Sequence, residues 1–234
     1  MVHGKKITAR RGIINMSYDI CIFDLDGTLT DPKIGITKSF QYALSSFGIN
    51  EDLENLTRFI GPPLRDTFRD DYGMSHSDII KAVAKFREYF AQTGLYENTI
   101  YPEIPEVLQK LTDNGKILAV ATSKLTTYAE QILEHFDVIQ YFAFVSGDDI
   151  DGGRTKNGKQ EIIRIVLDVL DPERKRTAVM IGDREHDIFG AQENGIDSIG
   201  NSWGYGSREE LEAAGSTWIV DSIDELYHML MQEY

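Results

Sequence analysis

Short apolar runs alternate with stretches of helical periodicity along this chain. YDICIF (18–23), KILAVATS (116–123), YFAFVSG (141–147) and TAVMIGD (177–183) each read as a buried strand, with shorter strands at DSIG (197–200) and TWIV (217–220). The four longer runs close on or just before Asp, Ser or Gly, as strands buried on both faces of a parallel sheet do. Between them, Ile104, Val107, Leu108 and Leu111 recur at i, i+3, i+4 and i+7. Ala129, Ile132, Leu133 and Phe136 do the same, as do Ile223, Leu226, Tyr227 and Leu230. KQEIIRIVLDVL (159–170) is a strongly apolar helix that stops before Pro172. The alternation predicts an α/β fold with an open, doubly wound (Rossmann-like) parallel sheet.

One block breaks the pattern. From about Asp31 to Tyr96 the chain reads as helix throughout: Ile36, Phe40, Ala43, Leu44 and Phe47 share one face, and Ile79, Val83, Phe86 and Phe90 another. The expected organisation is a core of residues 17–30 plus 98–234, with a small helical domain of 31–97 inserted over the strand ends. Residues 1–16, basic and without the apolar centre of a secretory leader, are expected to form a disordered extension.

Composition narrows the function. The formal net charge of −14 makes nucleic acid and anionic membrane poor partners. No apolar run reaches the roughly 18–20 residues that span a bilayer. The single cysteine, Cys21, lies in the first apolar run and can form no internal disulfide, which fits a cytoplasmic protein. An anionic substrate would need local positive charge from a metal, a lysine or helix N-termini.

Ligands of open parallel sheets collect beyond the carboxyl ends of the strands. The first such end, ICIFDLDGTLTDP (20–32), carries Asp24 and Asp26, two acids on one side of an extended segment that repel each other. The second carries Thr122 and Ser123. The third leads to Lys156 and Lys159, and the fourth to Asp183 and Asp187. Crowded carboxylates need a cation, and hard oxygen donors without His or Cys favour Mg²⁺. An Asp24 oxygen left free could attack phosphorus and form an acyl phosphate. Asp26 is placed to protonate the leaving oxygen and later to activate water. Thr122, backbone N–H groups and a lysine could hold the phosphoryl oxygens.

Taken in order, DLDGTLT, ATSK, a lysine heading a helix, and GDREHD resemble the four motifs of the haloacid dehalogenase superfamily. The resemblance runs from about residue 18 to the end, and the helical insert is similar to that superfamily's cap. FIGPPLRDTF (59–68) and SWGYGSREELEAAG (202–215) resemble the phosphoglycolate phosphatase branch, which includes 5′-nucleotidases. The resemblance implies Asp24 as nucleophile and Asp26 as general acid and base. It implies Mg²⁺ held by Asp24, the Asp26 carbonyl and Asp183, with Asp187 nearby or acting through water. Thr122 and a lysine would grip phosphate. The third motif departs from the usual pattern, RTKNGKQEII standing where Pro often follows the lysine. Lys159, which heads the apolar helix, is the choice and Lys156 the rival.

The expected activity is therefore Mg²⁺-dependent hydrolysis of a small phosphorylated metabolite by a monomer or homodimer. A sugar-phosphate mutase of the β-phosphoglucomutase type is the alternative enzyme, and a phospho-acceptor signalling or binding module the alternative outside catalysis. Arg65, next to GPPL, is a candidate for a substrate carboxylate or phosphate; otherwise it is a solvated helix arginine.

Overall fold

The computed structural model describes residues 17–151 and 153–231. The extension expected over 1–16 lies outside these described residues. Six parallel strands form one sheet: β1 (Ile20–Phe23), β4 (Ile117–Leu125), β5 (Phe142–Asp148), β6 (Ala178–Gly182), β7 (Asp197–Asn201) and β8 (Trp218–Val220). Their order is β5-β4-β1-β6-β7-β8. The chain moves outward from β1 to β4 and β5, returns to the other side of β1 as β6, and continues to β7 and β8. The crevice between β4, β1 and β6 is thus the topological switch point, where ligands bind in such sheets.

Side chains alternate across the sheet with period two. Cys21, Phe23, Leu118, Val120, Val179 and Ile181 face one apolar layer, and Ile20, Ile22, Ala119, Ala121, Ala178 and Met180 the other. The first layer is covered by α5 (Ile104–Asp113), α6 (Thr126–His135) and α10 (Ile223–Met231). The second is covered by α7 (Lys159–Leu170), through Ile162, Ile163, Val166 and Leu167. The helices α8 (Glu185–Glu193) and α9 (Arg208–Ala213) complete the crossovers from β6 to β8.

The block that reads as helical contains α1 (Lys33–Ser45), α2 (Leu53–Leu56), α3 (Leu64–Asp70) and α4 (His76–Tyr89). Phe40 is its centre, with ring centroids of Phe59 and Phe68 at 5.5 Å and Phe86 at 5.0 Å. Ser75 caps α4 by accepting the Asp78 N–H at 3.2 Å. A π-helical turn, Phe90–Gly94, follows α4. Two strands absent from the sequence reading bracket the block. β2 (Thr30–Asp31) pairs antiparallel with β3 (Thr99–Ile100), so the chain enters and leaves the helices side by side. No helix among the described residues is long and apolar enough to cross a membrane.

Candidate active site

Asp24 follows β1 directly, and its N–H donates to the Ile181 carbonyl of β6 at 2.8 Å, which pins it at the switch point. Gly27 then turns the chain with φ +83°, a left-handed conformation that favours glycine. A Cβ there would also run into the Asp183 carboxylate. Asn201 at the end of β7 braces this turn: its Nδ2 donates to the Gly27 carbonyl, and Thr28 donates to its Oδ1, both at 3.0 Å.

Asp183 follows β6 and is fully buried. Its Oδ2 accepts the Tyr205 N–H at 2.6 Å. Gly204 and Gly206 let the 202–207 loop lie against it, since a Cβ at either position would strike Asp183. Asp187, on the first turn of α8, is also fully buried and accepts the Arg184 N–H at 3.1 Å. Lys159 opens α7 and reaches into this cluster, with its Nζ 2.8 Å from Asp24 Oδ1 and paired as well with Asp187 Oδ1.

One carboxylate oxygen from each of Asp24, Asp183 and Asp187 lies within 4.8 Å of the others. Asp183 Oδ1 is buried without a hydrogen-bond partner. Three hard oxygen donors with an orphaned oxygen among them, joined by no thiol or imidazole among the described residues, fit a hard divalent cation. The electrostatics agree. Burial pushes Asp183 well above the usual carboxylate range, and the neighbouring Asp24 and Asp187 charges push it further. Burial also lifts Asp187, to about 6, against the pull of Lys159. For Lys159, burial alone would lower the pKa; the carboxylates of Asp187 and Asp24 outweigh it and hold the ammonium above its ordinary value.

Asp26 sits beside the cluster and does not join it. Its Oδ2 pairs with Lys124 Nζ at 2.8 Å. Burial raises its pKa, and Lys124 opposes the rise. Thr122 is buried near the end of β4, its Oγ1 accepting the Lys124 N–H at 3.3 Å. Asp26, Ser123, Lys124, Arg65 and Lys156 line a cavity of about 500 Å³ between the sheet and the helical block. Lys156 is exposed at that cavity and makes no ion pair among the described residues, whereas Lys159 is buried in the acid cluster. The remaining wall is largely apolar and aromatic, with Phe40, Phe86, Phe90 and Tyr128 among its members.

Sequence reasoning assigned no role to three of these groups. Lys124 stands inside the ATSK motif, but nothing in sequence shows that it meets Asp26. Arg87 lines the same cavity and donates to the Ile150 carbonyl at 2.8 Å, bridging α4 to the loop after β5. Arg184 donates to the Ile60 carbonyl at 2.7 Å and to Glu210 at 2.9 Å, tying the GPP turn of the helical block to the acid loop.

Residues 21–201 match the family model described as haloacid dehalogenase-like hydrolase. A 5′-nucleotidase of Pseudomonas aeruginosa is 46% identical over 92% of this chain and 96% of its own length. The tyrosine-protein kinase PtkA of Mycobacterium tuberculosis is 37% identical over 92% of this chain and 73% of its own. A crystal structure of a "predicted phosphatase" from Clostridium acetobutylicum superposes with a TM-score of 0.88 at 42% identity, covering 93% of this chain and all of that one.

Proposed function

Given that the chain belongs to the haloacid dehalogenase-like hydrolases and is a phosphatase of that family, we propose that it is a Mg²⁺-dependent phosphomonoesterase acting on nucleoside 5′-monophosphates through an aspartyl phosphate. The observation that carries this reading is the buried set of Asp24, Asp183, Asp187 and Lys159 at the switch point, on the same strand end as Asp26, which lines the cavity.

Asp24, Asp183 and the Asp26 carbonyl would hold Mg²⁺, with Asp187 beside them. Bound there, the ion would neutralise the acids and draw charge from the phosphoryl oxygens. Asp24 attacks phosphorus, the P–O ester bond breaks, and Asp26 gives its proton to the departing alcohol oxygen. Asp26 then takes a proton from water, whose oxygen attacks the aspartyl phosphate; phosphate leaves and Asp24 is restored. Lys159 and Thr122 hold the phosphoryl oxygens throughout. The helices of residues 31–97 act as the cap, and closing them over the crevice limits access of bulk water.

Two features support a nucleotide. A cavity of about 500 Å³ is within the ordinary range for organic ligands and larger than a two-carbon acid needs. Its wall is largely apolar, and Tyr128, the one lining Phe or Tyr ring among the described residues that is more than marginally exposed, offers a face to a flat base. Arg65, which makes no ion pair among the described residues, faces the same space for a polar group on the substrate.

A panel of phosphate esters assayed for released phosphate tests this reading. Nucleoside 5′-monophosphates should lead the panel, and EDTA should abolish turnover until Mg²⁺ is restored. Glucose 1-phosphate converted to the 6-phosphate would instead make the protein a mutase. Phosphate transfer from ATP to tyrosine, with no ester hydrolysed, would align it with its mycobacterial relative.

The raised acids add a second expected result. A group whose folded pKa exceeds its unfolded value stabilises the fold as pH falls toward the unfolded pKa. For Asp187 the window runs from about 6 down to its ordinary value of 3.8, and Asp183 extends it upward. The metal-free protein should therefore gain stability as pH drops from 7.5 to 5.5. Mg²⁺ competes with those protons, so its thermal stabilisation should be greater at pH 7.5 than at pH 5.5 by at least about 3 °C. Differential scanning fluorimetry with MgCl₂ at the two pH values measures it, and equal shifts would count against a metal on these acids.

A further inference from the structure

We propose that Lys124 is a positioning residue that fixes the carboxyl of Asp26 and makes its placement depend on where the helical block sits. The proposal rests on the phosphatase reading above. Lys124 leaves the end of β4, yet its side chain is only 7% exposed, and its ammonium lies 2.8 Å from Asp26 Oδ2. The other oxygen of that carboxyl, Oδ1, is buried with no hydrogen-bond partner. Among the described residues, Lys124 is therefore the group that orients the proposed acid.

The same ammonium stands 4.5 Å from the ring centroid of Phe90. Phe90 belongs to the helical block. It opens the π-helical turn after α4, stacks on Phe86 at 5.7 Å and leans on Tyr128 at 5.3 Å. A cation–π contact is useful only within about 6 Å of the ring, and it strengthens when water is excluded. A small outward shift of the block takes the ring out of that range and opens the ammonium to solvent. Lys124 is then held by one partner instead of two, and Asp26 loses its fixed direction. A closed block seats the lysine between ring and carboxylate, so the acid is aimed when the substrate is enclosed.

Leaving-group dependence is the readout that tells positioning from general structural damage. The parent, Lys124→Met and Phe90→Leu are compared by kcat/KM, which reports the steps through ester cleavage. The two esters are adenosine 5′-monophosphate, whose alkoxide needs a proton as it departs, and p-nitrophenyl phosphate, whose phenolate barely does. Lys124→Met should lose roughly 30- to 100-fold on the nucleotide and less than about 5-fold on the aryl ester. Phe90→Leu should show the same split at smaller amplitude, and Lys124→Arg should recover part of the nucleotide rate. Equal losses on both esters, with the parent active and the Mg²⁺-induced melting shift intact, would overturn the role of Lys124 and leave the phosphatase reading standing. A parent inactive on both esters would overturn that reading and this proposal together.

Discussion

Replacing Asp24 by Asn should reduce phosphate release by at least about 10⁴-fold while the chain remains folded. The amide has the same shape but cannot attack phosphorus, and among the described residues no other carboxylate stands at the end of β1 with its backbone pinned to β6. The fold should tolerate the change, because it removes one charge from a buried, mutually repelling set, and Lys159 retains Asp187. Without Mg²⁺ the melting temperature should hold or rise. Phosphate-release assays with circular dichroism on the same sample decide it. A variant that kept the parental rate would take the nucleophile's role from Asp24, and a collapsed melting temperature would recast the residue as structural.

Lys159→Met carries the largest expected cost in stability. The lysine is nearly as buried as the carboxylates it serves, and without it Asp24 and Asp187 lose the ammonium they share. Breaking a buried ion pair from one side costs about 3–5 kcal/mol. Protonation would relieve the stranded acids, so urea titrations should show a smaller deficit near pH 5 than near pH 8. Activity should fall roughly 10²- to 10³-fold through loss of a phosphate-holding cation. Lys156→Met, at an exposed position, should change stability by no more than about 0.5 kcal/mol. The reverse pattern would transfer the third motif's role to Lys156.

The six parallel strands were legible because each is an apolar run punctuated at its carboxyl end. The same punctuation marks Asp24 and Asp183, which the fold brings together with Asp187 at the switch point. Lys159 was legible for a local reason, standing at the head of an apolar helix. β2 and β3 were not: Thr30–Asp31 and Thr99–Ile100 are too short to carry a period, and each exists only because the other is there. The pairing of Lys124 with Asp26 crosses 98 positions of chain, and the Phe90 ring lies on another element again, so no pattern along the chain could link the three. The Tyr205 N–H on Asp183 was hidden differently, as a backbone contact carries no residue signature. The flanking glycines, Gly204 and Gly206, are what that close approach requires.

The side-by-side entry and exit of the helical block at β2 and β3 bears on how such a chain can diversify. Because both covalent crossings occur at one two-rung ribbon, the intervening segment can be exchanged as a cassette without rethreading the strands beneath it. A lineage could acquire a new appetite by recombination across positions 31 and 99 while inheriting the buried acids and Lys159, provided the incoming segment returns a ring to the place of Phe90. A laboratory chimera joined at those rungs would follow the same seam.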